Sequence, residues 1–485
     1  MFTFKSYFQI ATIILGMHVW CIAQTITLDG FLDLVQTNHP LFEKEALATQ
    51  IEKQSRDAFL GGQDWRIASS PSFIHQKPIA TNAFMPKSLE QLSAGASVEK
   101  AIWKTGGRLS MSWSSDFTDQ DIQDIVIPGL ITIPAGPPKF YQNNILLAYT
   151  QPLFQNFRGE LDRLGYEIGQ YAVDMASVQA QENQEEFLLD MATRFIDWTL
   201  LTEQKIIAEE RLDLTEQQLE QAERKRAANL IDEVDVLRSE DAVRIAEQSV
   251  VLMEAQCQAK QAELAVLSRS DAIYALDPEF NLYERLDSLA LQSAAERLRQ
   301  QSRLLKLLAL RRQQMERQQD GLQEATKPQL HLRAQLAARS GDSEFGNSLG
   351  FDKSDAGISL QFSYPLGNRS AIAEAKRNRM QIHRHDLEVD EIFLSLEAAL
   401  HNLILQVKGM DKVLTLNEKQ IESARKRTQE ELKLYNQGRG DLTFVIQSQD
   451  NEEHARLTYA QNAATYQGLN LRLEALLDEL LLNTD

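Results

Sequence analysis

The stretch Tyr149-Thr150-Gln151-Pro152-Leu153-Phe154 decides how this chain reads, because its centre returns as Tyr364-Pro365-Leu366. Each copy ends a run of alternating apolar and small polar residues and opens a long, charged, proline-free stretch. Both stretches break after roughly seventy residues, at Asn229-Leu230-Ile231-Asp232 and at Gly438-Arg439-Gly440-Asp441, and the offsets between the prolines and between the breaks agree to about one helical turn. The second half of the chain therefore reads as a duplicate of the first.

The proline-free stretches carry a helical period. Leu161, Leu164, Ile168, Tyr171, Met175 and Val178 alternate steps of three and four, and Val389, Ile392, Leu396, Ala399, Leu403 and Val407 nearly repeat them, which is the spacing of a coiled-coil seam. A helix of this length extends on the order of 100 Å. Shorter partners return along it: Asp232 to about Ser268 and Arg285 to about Ala325 in the first half, then Asp441 to Leu482, with the helices before Pro71 supplying the rest. Cys257 continues the sevenfold spacing of Val236, Val243, Val250 and Leu264, so it is expected as a small buried apolar residue.

Between the helices the period changes to two. Leu330, Leu332, Ala334 and Leu336 alternate with His331, Arg333 and Gln335, and Ile358, Leu360 and Phe362 alternate with Ser359, Gln361 and Ser363. The first half has less regular equivalents around Ala94 to Val98, Leu109 to Trp113 and Ile145 to Tyr149, with a long exposed loop expected from Phe117 to Lys139. Alternation over about ten residues is the pattern of a strand with one face in lipid and one in water. The helices already spend their apolar seams on one another, so nothing in the chain covers these faces. Two hairpins cannot close a barrel alone, since single-chain barrels begin at about eight strands, so subunits must pool them.

A formal charge of −19 argues against a nucleic-acid partner, which needs a basic surface. Lys5, the apolar run Tyr7 to Val19 and the small residues before Gln24 form a secretory leader, with cleavage expected after Ala23. Cys257 is then the one remaining cysteine, which leaves no disulfide framework. No later run is long and apolar enough for a membrane helix. No phosphate loop, nucleophile elbow or zinc pattern is present, and His383 and His385 stand two apart on a helix, facing different directions, so no enzyme activity, cofactor or metal is expected.

Thr27-Leu28-Asp29 with Asn38-His39-Pro40, the junction Tyr149 to Phe154 with Arg158-Gly159, and the breaks Asn229 to Leu237 and Gly438 to Ile446 together resemble the TolC-like outer-membrane efflux proteins, or outer-membrane factors. The resemblance covers nearly the whole mature chain. It implies a mainly α fold with a small β part, in which four strands per subunit of a homotrimer make a twelve-stranded barrel in outer-membrane lipid and long coiled-coil helices make an α-barrel across the periplasm. The implied function is the exit channel of a tripartite efflux or type I secretion system, joined to a periplasmic adaptor and an inner-membrane transporter. A secreted coiled-coil scaffold or adhesin is the alternative. The expected division is a leader at 1–23, N-terminal helices at 24–71, a first membrane region at 72–153, a first long helix pair at 154–268, an equatorial segment and upper helix at 269–327, a second membrane hairpin at 328–366 and a second long helix pair at 367–485.

The breaks are the expected periplasmic tips and gate. Asn229 and Gly438 can take the left-handed conformation that ends a helix, and Asp232 and Asp441 stand where an N-cap starts the next. Asp235 lies in a Val234-Asp235-Val236-Leu237 stretch like the family's acidic tip motif, but Phe444 and Gln447 occupy the matching part of the second tip, which leaves an acidic selectivity ring open. Tyr435, Arg439 and nearby Lys433, beside Gly440, are candidates for contacts that hold the tips closed.

Overall fold

The computed structural model describes residues 24–79, 85–121, 124–127, 129, 131–133, 138–286 and 291–481. The expected leader, with Lys5 and Ala23, lies outside the described residues, as do Pro128, Pro134 and Pro137 of the expected loop. In chain order the elements are β1 (Gln24–Thr27), α1 (Leu28–Asn38), α2 (Pro40–Ala58), β2 (Arg66–Ser69), β3 (Ser72–Gln76), β4 (Leu89–Ile102), β5 (Gly107–Gln120), β6 (Ile125–Ile127), β7 (Ile131–Ile133) and β8 (Lys139–Pro152). They continue as α3 (Glu160–Ala227), α4 (Glu233–Ser268), β9 (Leu276–Glu279), α5 (Leu291–Gln301), α6 (Arg303–Ala325), β10 (Gln329–Asp342), β11 (Lys353–Ser363), α7 (Arg369–Asn436) and α8 (Leu442–Leu476). The helices α3 and α7 are each 68 residues long. The chain forms two compact units, one of Met1–Phe42, Glu185–Ala294 and Leu400–Asp485, the other of Glu43–Gln184 and Ala295–Ala399.

In the first unit helical spacing builds the core, where Val407 of the expected seam is buried and Leu403 packs against it, while Ala399 is exposed and its neighbour Leu400 is buried instead. Ile196, Leu200 and Ile207 of α3 meet Val407 and Leu414 of α7, and the small Ala460 and Ala463 of α8 let the helices close around Tyr466. A second cluster gathers Phe31 and Val35 of α1 with Phe195 and Trp198 of α3 and Leu264 of α4. Phe31 and Phe195 stack with ring centroids 5.3 Å apart, and burial of each such side chain is worth about 1.5–3 kcal/mol. The hydroxyl of Thr27 accepts the Gly30 N–H at 3.2 Å, so α1 starts where Thr27-Leu28-Asp29 predicts. Cys257 is only half-buried: it sits at the edge of the second cluster, its Sγ 3.6 Å from the Thr202 hydroxyl, which keeps that part of the seam polar.

The second unit holds the sheet, ordered β11-β10-β8-β5-β4-β2, with β3 also paired to β4. Ser69 pairs with Ala96 and Ser72 with Ser93, and the Ser70 N–H donates to the Gly95 carbonyl at 3.1 Å, so β2 and β3 are one strand in a single register along β4. Only Pro71 interrupts it, because proline has no N–H to give the ladder. Every neighbouring pair in this sheet is antiparallel. The described part of the chain therefore has six strand positions, not the four that the resemblance implies. The runs around Ala94 and Leu109 are a full hairpin of 14-residue strands standing before β8. The fourth position of the first half, β2 with β3, escapes the alternation test because Pro71 cuts it into pieces of 4 and 5 residues. The loop expected from Phe117 to Lys139 is also shorter, since β5 runs to Gln120, β8 begins at Lys139, and β6 pairs with β7 in between.

Register carries one face across all six positions. Ile67, Val98, Met111, Leu147, Leu336 and Ala356 stand side by side, each paired with the next. One residue along, the opposite face carries Ala68, Ser97, Ser112, Leu146, Ala337 and Asp355, which is more mixed. In the helices of the same unit, His385 is buried with Nε2 2.9 Å from the Leu308 carbonyl oxygen, while His383 is exposed.

Candidate functional site: the two helix-turn-helix tips

Both turns lie in the first unit and use one backbone solution. After α3 the Leu230 N–H donates to the Lys225 carbonyl at 2.9 Å and the Asn229 N–H to that of Arg226 at 2.9 Å, with Asn229 at φ 55°. After α7 the Arg439 N–H donates to the Leu434 carbonyl at 2.9 Å and the Gly438 N–H to that of Tyr435 at 3.0 Å, with Gly438 at φ 71°. This paired arrangement closes a helix by satisfying its last carbonyls through one left-handed residue. Asparagine and glycine are the two residue types that take this conformation at least cost.

The starts of the next helices differ. Asp232 and Asp441 both have the extended backbone of an N-cap, but only the Asp441 carboxylate caps, accepting the Thr443 N–H at 2.8 Å. That hydrogen bond, helped by Arg238, holds the Asp441 carboxyl below its ordinary range. Asp232 makes no side-chain cap; one residue on, Glu233 accepts from Arg226 Nε at 3.2 Å and ties the turn to the end of α3.

Contacts between the two turns join candidates named from the sequence, Tyr435 and Asp441, to two basic residues that sequence reasoning did not single out. Lys225 Nζ lies 3.9 Å from the centroid of the Tyr435 ring and 3.2 Å from Asn436 Oδ1, which joins the end of α3 to the end of α7. Arg238 pairs with Asp235 at 3.3 Å and reaches Asp441 at 3.8 Å, which joins the starts of α4 and α8. Burial pushes the Lys225 amine down, and burial together with Asp235 and Asp441 pushes the Tyr435 hydroxyl up. The Tyr435 hydroxyl is buried with no hydrogen-bond partner among the described residues.

Asn229, Asp232, Asp235, Tyr435, Gly438, Arg439, Gly440 and Asp441 all line a single open cleft of about 1300 Å³. The structure thus brings these eight tip candidates together, but not Lys433. Arg439 is exposed, and Lys433 pairs with Glu430 on its own helix at 3.3 Å rather than across the tip. Phe444, which matches Asp235 in the second tip, is exposed. The only signal that Lys225 and Arg238 belong here is the repeat itself, which sets the ends of α3 and α7 at equivalent places.

Further along α3 the fastening is stronger. Arg211 is buried and donates to Gln449 Oε1 and Asp450 Oδ1, both at 2.7 Å, and Thr428 of α7 donates to the Ser448 carbonyl of α8 at 3.1 Å. By contrast the tip contacts are partly exposed, and such ion pairs and cation–π contacts are worth about 0.2–1 kcal/mol each. The tip contacts are therefore weaker than the fastening at Arg211 and Thr428.

Solved structures supply the class. The chain is similar to the outer membrane protein VceC from Vibrio cholerae, at 10% identity over 93% of this chain and 96% of that one, with a TM-score of 0.64. It is equally similar to the outer-membrane channel OprN (13% identity, 93% and 90% covered, TM-score 0.65) and to CusC (11%, 93% and 91%, TM-score 0.65), a protein described in connection with transmembrane channel formation. No family model matches the chain, and no curated protein matches it in sequence. At these identities the likeness establishes the fold, which is that of the outer-membrane channels, in keeping with the TolC-like resemblance of the sequence.

Proposed function

We propose that this protein is an outer-membrane channel, not an enzyme. Its sheet contributes to a homotrimeric barrel in outer-membrane lipid, its helices reach into the periplasm, and its two tips form the periplasmic entrance. The observation that carries this reading is the sheet's continuous apolar row, in register from Ile67 to Ala356, against a more polar opposite face that carries Ser97, Ser112, Asp355 and Arg333 among small and apolar residues. A β-sheet apolar on one side and wet on the other suits a wall between lipid and a water-filled lumen. The segments at 72–153 and 328–366, together with β2, are the membrane regions on this reading. Heptad-spaced Met380, Leu387 and Leu394 of α7 are exposed in the single chain and offer a second copy the same kind of seam that the helices use internally.

In this role the tips dock a periplasmic adaptor, and an inner-membrane transporter loads the duct, as in a tripartite efflux or type I secretion system. Parting the tips breaks the Lys225 to Tyr435 and Arg238 to Asp441 contacts and leaves the Arg211 fastening intact. The net charge of −19 favours passage of cations over anions of equal size.

The test is direct. Expressed with its leader, the chain is expected to fractionate with the outer membrane, to cross-link as a trimer and, once purified, to conduct ions in a planar bilayer. A leader-free chain that is monomeric, dissolves without detergent and keeps its helicity would replace this reading with that of a secreted coiled-coil scaffold.

A further inference from the structure

We propose that the β4–β5 hairpin is an additional pair of wall strands that widens the barrel: three copies of this chain, joining β11 of one to the β2–β3 strand of the next, close roughly eighteen strands around a bore that passes larger solutes. This rests on the channel reading above and concerns the size of solute that reading leaves open.

Four observations place the hairpin in the wall. Its outer face is in the same row as the rest of the sheet, with Val98 and Met111 standing between Ile67 and Leu147, so burying that row in lipid buries all of it. At mid-height its inner face is small, Ser93, Gly95 and Ser97 beside Ser110, Ser112 and Ser114, with Gln91, Glu99 and Arg108 toward its ends, so its middle adds circumference without filling the lumen. Both of its strands have 14 residues, enough to cross the hydrocarbon layer at the usual tilt, where about 9–11 are needed.

The fourth observation is the seating of its inner turn. Gly106 has φ +74°, and a Cβ there would lie 2.2 Å from the Asn156 carbonyl oxygen; at Gly159, φ +71°, a Cβ would lie 1.9 Å from the carbonyl oxygen of Trp103. The turn is thus pressed backbone to backbone on the strand-to-helix junction below β8, and Gln151 Nε2 donates to the Thr105 carbonyl at 2.7 Å. A hairpin hanging free of the wall would not need two bare glycines at that contact.

Strand direction then excludes the intermediate count. Across the sheet the directions alternate, so β2–β3 and β11 run opposite ways and join antiparallel between copies, as all strands of bacterial outer-membrane barrels do. Were β2–β3 outside the wall, β4 would become the edge, parallel to β11, and closure would need a parallel seam. Both free edges have matching reach, β11 with 11 residues and β2–β3 spanning 66–76. Because barrel diameter grows roughly linearly with strand number, the backbone cylinder is about half as wide again as one with roughly twelve strands.

The experiment is to image the full chain in lipid nanodiscs and count strands. About eighteen supports the inference, and a conducting trimer with about twelve, its β4–β5 hairpin outside the wall, overturns it while leaving the channel reading intact. A chain that stays monomeric overturns both. A second variant sharpens the result. The Lys87 N–H donates to the Asp121 carbonyl at 2.8 Å, so the hairpin enters and leaves at one point, and deletion of Ser88 to Gln120 rejoins the chain there. The register leaves Ile67 and Leu147 on one face, ready to pair β2–β3 with β8. In bilayers, the largest neutral polymer that enters from the barrel side is expected to shrink to about two-thirds of its former diameter in this variant. An inserted variant with an unchanged cut-off overturns the inference.

Discussion

The turns after α3 and α7 have the same backbone made from different residues, whereas the strands before α3 and α7 differ in number. The difference teaches which constraints are local. A helix is closed by one left-handed residue and two hydrogen bonds, and Asn229 and Gly438 both satisfy that within a window of six residues. A seam between two strands is constrained only by direction and by which face is apolar, so a whole up-and-down hairpin can be inserted between β8 and β2 without disturbing either.

The largest test of that contrast compares two glycines. Gly159→Ala is expected to cost about 3 kcal/mol or more, because its Cβ would meet backbone that cannot move aside, while Gly438→Ala, with nothing within 4 Å of the new atom, costs about 1 kcal/mol from backbone strain alone. Thermal unfolding of the purified proteins measures both, and equal effects would mean that the hairpin turn is not seated as described. Next come charges on the apolar row. Met111→Arg in the added hairpin and Leu336→Arg in the shared part are expected to lose similar amounts, about 2–4 kcal/mol, in denaturant titrations of lipid-embedded protein, with Ser112→Arg much milder. A harmless Met111→Arg beside a damaging Leu336→Arg would take β4–β5 out of the membrane.

The tips differ in their caps, and the effects there are smaller. Asp441→Ala removes a formed cap and should cost about 1 kcal/mol, whereas Asp232→Ala removes none and should cost only a few tenths. Asp441 has its carboxyl held down in the folded protein, so its contribution is present above the ordinary value of 3.8 and is lost as pH falls through the depressed one. The pH dependence of unfolding should therefore lose a component in acid in Asp441→Ala, and an unaltered profile would show that the cap does not form. Tyr435 works in the opposite direction. Its hydroxyl is pushed above 10, so the neutral form is favoured below pH 10 and that advantage fades as pH rises through the raised value. Tyr435→Phe, which removes an unpartnered buried hydroxyl, should be neutral or stabilising by up to about 1 kcal/mol in thermal unfolding. Lys225→Met should cost about 0.5–1 kcal/mol and raise the fraction of time the channel spends open in bilayer recordings, and an unchanged or lowered open fraction would show that Lys225 does not hold the tip shut.

Much of this was legible from residues close together in the chain. The long helices α3 and α7, the start of α1 at Thr27, the alternation in β8, β10 and β11, and the two left-handed turns are all properties of a few neighbouring residues, whose conformational preferences and spacing act before any long-range contact forms. Their order also carried the resemblance to outer-membrane channels. What tertiary structure alone decided joins distant residues: Pro71 splits a strand that becomes continuous only when both pieces lie along β4, and Lys225 finds Tyr435 only when α3 and α7 end side by side. Cys257 shows the same limit in reverse, since a perfect sevenfold position became half-buried where Thr202 of another helix faces it. Periodicity states which face of an element is apolar. Only packing and pairing state what that face meets, because the energy of a contact belongs to two segments and is written in neither one alone.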